Sequence, residues 1–169
     1  GFYKCDRRNF YPNLFTMDTK QRQDLAIQHF EGDMNCAQAV LLAFADELQI
    51  EKESLVSIGS AFGAGMGEGE TCGAVSAALM VIGLKNGKSH SSVELKEHVK
   101  QLSGIFKSEF EKQYGSLKCK DLIGVDLKND EGYEIAHEKG VFQSRCPLFI
   151  RSSIQLISDL EKDIGQRNF

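Results

Sequence analysis

Cys5, Cys36, Cys72, Cys119 and Cys146 are the residues of this 169-residue chain best equipped to do chemistry. A thiolate attacks disulfides and ligates soft metals, whereas a protonated thiol does neither well. Four of the five share a local context. Asn35 precedes Cys36 at the head of an apolar run, and Asn is a preferred N-cap, so Cys36 is expected at the first helical position. Thr71 stands before Cys72 in the same way. Ser116 can cap a helix that places Cys119 at its third position. Cys146 is followed by Pro147, and Pro favours the first helical position, so Cys146 is expected at the cap itself. The unpaired N–H groups and positive dipole end of a helix N-terminus favour a thiolate. They lower a Cys from about 8.5 toward about 3.5–7.5. The expectation is four activated thiols.

The separations between these four cysteines are 36, 47 and 27 residues. There is no C-x-x-C pair, which removes the thioredoxin-type motif and the common zinc-ribbon spacing. The runs that hold iron–sulfur clusters in ferredoxins are absent as well. Any site must be assembled from four separate segments. Four thiols then allow two disulfides, a four-thiolate metal or iron–sulfur site, or one disulfide with two free thiols, and three pairings are open.

Other features carry less. The glycine cluster Gly59, Gly63, Gly65, Gly67, Gly69 and Gly73 contains no G-x-G-x-x-G triple, and its setting is helical rather than strand–loop–helix. Gly87-Lys88-Ser89 resembles the end of a P-loop but lacks the earlier Gly, since position 82 is Ile. The cluster reads instead as a sharply turning loop that brings backbone close to Cys72. A small cofactor or anion over it, held at Gly65, Gly67 and Gly73, is the binding expectation. Glu68 and Glu70 flank Cys72 and read as solvated loop carboxylates, with proton acceptance from a thiol as the alternative. His29, His90, His98 and His137 lack metal-ligand spacing. Arg145 lies where it could lower the Cys146 thiol further.

The elements that must position the cysteines read as helices almost throughout. Helices are expected over 18–30, 36–48, 54–58, 74–84, 92–114, 117–123 and 130–139, with a last one beginning at Cys146-Pro147. Leu95, Val99, Leu102, Phe106 and Phe110 recur at steps of three and four, as do Ile150, Ile154, Ile157, Leu160 and Ile164. The run from Cys36 is apolar on most faces and should be buried. The Ala- and Gly-rich run from Ala74 lets neighbours approach closely and is expected to be central. The fold class is all-α: one helical bundle of about six to eight helices around that small-residue helix. Residues 1–16 show no periodicity and read as a poorly specified N-terminal extension, with 17–169 as the cysteine-containing domain.

Composition sets limits. Hydrophobic content of 41% and charged content of 26% fit a globular domain. The net charge of -4, from 20 basic and 24 acidic residues, argues against nucleic acid as a partner. The longest apolar run, Gly73 to Leu84, has 12 residues and suits a core helix rather than a membrane span. No apolar stretch follows Lys4, Arg7 and Arg8 as in a signal peptide, so the expected location is cytoplasmic. A homo-oligomer is compatible with everything above.

Three groups of segments together resemble a known family: Asn35-Cys36-Ala37-Gln38-Ala39-Val40, Phe62-Gly63-Ala64-Gly65-Met66-Gly67, and Thr71-Cys72-Gly73-Ala74 onward to Met80. Cys119 with Asp121-Leu122-Ile123-Gly124, and Cys146-Pro147, complete the pattern. It resembles the family named for its C-GCAxxG-C-C cysteines, over about Asp24 to Leu160. The second box departs from the literal motif: Thr71 replaces its first Gly, Gly73 its Ala, and Ser76 stands at its closing Gly. The resemblance implies thiol redox chemistry or electron transfer and supplies no substrate or redox partner. Three functions follow as expectations. The first is a thiol redox protein pairing Cys36 with Cys72 and Cys119 with Cys146. The second is a metal or iron–sulfur protein using all four thiolates. The third is a non-catalytic helical binding module.

Overall fold

In this computed structural model the described residues are 17–87 and 92–167. The expected N-terminal extension, Cys5, the end of the Gly87-Lys88-Ser89 motif and His90 lie outside them. Among the described residues the chain is all-α, with no strand beyond one isolated Thr71–Lys118 bridge.

Helix α1 spans Thr19–Glu31, capped by the Asp18 carboxylate on the Gln21 N–H, with Gln21 returning a bond to the Asp18 N–H. Helix α2 spans Cys36–Ala43, and every one of its residues is buried. The expected continuation to Leu48 is broken at Phe44, whose φ of -111° ends α2 before α3, Ala45–Leu48, begins. The break has a tertiary cause. The Phe44 ring lies 4.9 Å from the Arg22 guanidinium and 5.7 Å from the Lys85 ammonium. The turn beyond it carries Asp46 and Glu47 onto the buried Arg22, which also donates to the Ala43 carbonyl at 2.6 Å. That cluster pairs an otherwise isolated core charge.

Helix α4, Lys52–Gly59, leads to a glycine-rich turn, Gly65–Gly69. Helix α5, Gly73–Asn86, runs through Gly83 instead of stopping there. Helix α6, Val93–Tyr114, is capped by the Ser92 hydroxyl and closed by Gly115. It buries Leu102, Phe106 and Phe110, the lower part of the expected stripe. Short helices α7, Cys119–Ile123, and α8, Asp130–Glu138, precede α9, Val141–Arg167. The split at Phe44 and the glycine turn raise the count of helical segments above the expected six to eight.

Helices α2 and α5 pack against each other at the centre, and α9 crosses both. Helix α1 covers α2 and α9, α4 covers α2, and α6 covers α5 and α9. The fully buried Val75, Ala77, Ala78 and Val81 confirm α5 as a central small-residue helix, with α2 sharing that role. Its small faces let α2 and α9 approach closely.

Candidate thiol site

Helix α2 enters the core with Cys36 at its first position, as its sequence dictates. The Asn35 side chain accepts from the Gln38 N–H at 2.9 Å, and the Gln38 side chain accepts from the Asn35 N–H at 2.9 Å. Asn35 also donates to the carbonyls of Gly59 and Ser60, and Gln38 to that of Val56. The capping box therefore fixes the helix start and ties it to α4.

The glycine turn is left-handed. Ala64, Gly65, Met66 and Gly67 follow one another at φ of 52°, 61°, 59° and 74°. Two of these are not glycine, a conformation costing about 1–2 kcal/mol per residue for an L side chain. Gly65 is required at its place: an added Cβ would stand 2.5 Å from Glu70 backbone and 2.8 Å from the Cys119 Cβ. The turn then feeds a short pairing of residues 70–72 with 117–119. The Cys72 N–H donates to Leu117 at 2.8 Å, and the Cys119 N–H donates to Glu70 at 2.7 Å. Two cysteines 47 residues apart in sequence are thus held side by side by backbone bonds.

Three expected positions change. Cys72 is itself the N-cap of α5 rather than its first helical residue. Cys119 opens α7 instead of standing third. The Ser116 hydroxyl receives the Lys118 N–H and donates to the Asp121 carboxylate, which brings the helix start two residues later than a Ser116 cap would. Cys146 is not at a helix start. Helix α9 begins at Val141, after Gly140 turns the chain at φ 59°, and passes through Pro147. Pro147 is the seventh residue of this helix, so it removes the bond that a backbone N–H there would make to the Gln143 carbonyl.

The fold nonetheless gathers the four. Cys36, Cys72, Cys119 and Cys146 are free thiols, 4–7% exposed, and all line one cavity of ≈ 600 Å³. Its other walls are Phe30, Met66, Leu122, Ile123, Phe142 and Phe149, with Asn35, Ser60 and Tyr133 as the polar contributors. Gly67 lines it too. Gly65 and Gly73 do not; they are packing glycines behind it. The aromatic walls come from α1, α8 and α9 and had no local signal in sequence. Glu68 and Glu70 lie outside the lining, and Glu70 faces Lys118 at 3.8 Å. Arg145 donates to the Leu122 carbonyl at 3.1 Å, and its guanidinium lies 5.8 Å over the Phe149 ring.

Electrostatics separate the thiols, and the expectation of four activated ones is corrected. The Cys36 thiol is lowered to about 7. The first cause is a hydrogen bond from the Cys72 side chain, helped by the backbone N–H groups of Ala64, Ala37 and Ala74 against the cost of burial. Cys72 is raised well above the ordinary thiol range, because it gives its hydrogen bond to Cys36 and is buried beside that charge. The pair titrates as a unit, with its first proton leaving Cys36. Burial pushes Cys119 up to about 12, with repulsion from Cys36 adding to it. Burial raises Cys146 as well, reinforced by Cys36 and Cys119. Helix N-termini therefore act at Cys36, while desolvation wins at Cys119, at the start of a single turn, and at Cys146, inside α9. The Tyr133 phenol is also raised, by burial and then by Cys119.

Among the described residues, no group of three or more His, Cys, Asp or Glu side chains is arranged to hold a metal ion. Among the described residues, no helix is long and apolar enough to cross a membrane.

Residues 34–160 match a family model described as "Putative redox-active protein (C_GCAxxG_C_C)". No curated protein and no solved structure matches the chain.

Proposed function

The chain belongs to the C_GCAxxG_C_C family, and on that premise we propose that it is a dithiol–disulfide redox protein whose working pair is Cys36 and Cys72. The observation that carries this reading is the packing of Gly73, the neighbour of Cys72, against the Cys36 sulfur, with both thiols lining one cavity; there Cys36 is lowered to about 7 and Cys72 is raised. A thiol near 7 is substantially thiolate at neutral pH and retains nucleophilicity, which falls as a thiol becomes more acidic. Cys36 is the attacking sulfur. It opens the disulfide of an oxidised substrate and forms a mixed disulfide, releasing one substrate thiolate. Loss of the Cys36 charge removes both the hydrogen-bond acceptor and the repulsion that hold the proton on Cys72, and the released thiolate takes that proton. The Cys72 thiolate attacks the Cys36 sulfur, forming the Cys36–Cys72 bond and releasing the second substrate group as a thiolate, which takes its proton from water. Two cysteines are oxidised and one disulfide is reduced.

Cys119 and Cys146 face the same cavity as protonated thiols, and their second pairing remains part of this reading as a reserve couple. The test is alkylation with mass-spectrometric mapping, in reduced protein and after mild oxidation. The expected result is loss of two free thiols and a linked Cys36–Cys72 peptide pair. Four thiols that stay alkylatable after unfolding would sink the proposal.

A further inference from the structure

The cavity says what kind of molecule reaches the sulfurs. Each of the four cysteines of the cavity is at most 7% exposed, so a disulfide on the surface of a folded protein does not meet them. A cavity of ≈ 600 Å³ lies within the range of small-molecule pockets, about 300–1,000 Å³. Among the described residues lining it there is no Asp, Glu, Lys, Arg or His. The rest of the lining is mostly aromatic and aliphatic, with Asn35, Ser60 and Tyr133 as its polar members. An anionic ligand entering here would shed its water, meet no cationic side chain and face the Cys36 thiolate, which costs several kcal/mol per ion. An apolar ligand gains from every buried contact.

We propose that the substrate of the site is an uncharged, largely apolar small-molecule disulfide, and that anionic disulfides such as oxidised glutathione are excluded by the walls of the cavity. This rests on the dithiol reading for its chemistry, but not for its binding. The step balances as two cysteine thiols plus R–S–S–R giving the Cys36–Cys72 disulfide plus two R–SH. The substrate S–S bond breaks, the protein S–S bond forms, the Cys72 proton ends on one released thiol, and the other leaves as a thiolate that takes back from water the proton Cys36 had given up.

The experiment uses the full chain with Cys36→Ser and Cys72→Ser together, so that binding is read without turnover. Its probe is N-phenylnaphthylamine, a neutral apolar fluorophore; the protein contains no Trp to interfere. The dye is expected to bind one-to-one and to be displaced by diphenyl disulfide. Oxidised glutathione should need roughly a hundredfold higher concentration, the scale expected for an unpaired buried charge. Phe142→Asp, at a half-buried wall position, should weaken dye binding at least about tenfold if the dye sits in this cavity. Absence of dye binding, equal displacement by oxidised glutathione, or indifference to Phe142→Asp would each overturn the proposal. The thiol mapping above is read on the wild-type chain, so failure of the dithiol reading and failure of the apolar-substrate reading give different results.

Discussion

Gly73 lies against Cys36 so closely that a Cβ added to it would stand 2.6 Å from the Cys36 sulfur. The same Cβ would meet the Phe62 carbonyl at 2.6 Å and the Ala37 amide nitrogen at 3.3 Å. Two of these three neighbours are backbone, so a side chain cannot be accommodated by a rotamer change. The family motif writes Ala after its second cysteine, and this chain carries Gly where the contact is closest.

Gly73→Ala should therefore push α5 away from α2. The expected cost is about 1–3 kcal/mol, the range for overpacking a well-filled core. The shift would also lengthen the Cys72–Cys36 hydrogen bond and raise the Cys36 thiol. Thermal melts together with the pH dependence of iodoacetamide labelling at Cys36 check both. Unchanged stability with an unchanged labelling profile would contradict the close packing.

Asn35→Ala removes the cap of α2 and its ties to Gly59 and Ser60. Loss of such a cap costs about 0.5–2 kcal/mol. The freed first turn also holds the Ala37 N–H that supports the Cys36 thiolate. Destabilisation should be accompanied by slower labelling of Cys36 at pH 7. Asn35→Ser, which restores an acceptor, should recover most of both effects, and no recovery would argue against the cap as the cause.

The pH dependence has a definite sign. Cys36 is lowered from 9.0 to about 7, so the stability it contributes is complete above pH 9 and is lost as pH falls through 7. Cys72, Cys119 and Cys146 are raised, so they cost stability as pH climbs past 9, where the unfolded chain releases protons the fold retains. The melting-temperature difference between wild type and Cys36→Ser should grow between pH 7 and 9. A difference that stays flat across that window would show that Cys36 is not lowered in the fold.

Gln49→Gly tests backbone strain away from the site. Gln49 closes α3 at φ 55°, ψ 34°, in the left-handed region that glycine occupies freely. Relief of that strain, partly offset by the extra freedom of glycine in the unfolded chain, leaves a gain of about 0.5 kcal/mol. Denaturant titration should show a higher midpoint with the labelling rate of Cys36 unchanged. A lower midpoint would mean the Gln49 side chain does more than occupy the turn.

What the sequence determined by itself was local or periodic. Asn35 announced its helix because capping is decided within three residues, and the expected starts at residues 18 and 92 fall where Asp18 and Ser92 cap theirs. The stripe through Leu102, Phe106 and Phe110 announced its buried face because side-chain direction repeats with the helix. The four cysteines stood out through their neighbours and through the family pattern they form. The tertiary structure decided the rest. Nothing near Phe44 predicts a break that arises from Arg22 and Lys85, which arrive from other helices. Cys146 misled because Pro147 favours a first helical position, whereas α9 begins at Val141 and carries the proline inside it, at the cost of one backbone bond. Thiol acidity also escaped the sequence: a helix N-terminus is a local feature, whereas burial is not. Only packing decides that Cys36 receives hydrogen bonds from three helix-and-turn amides and from Cys72, while Cys119 and Cys146 face apolar walls that keep their protons on.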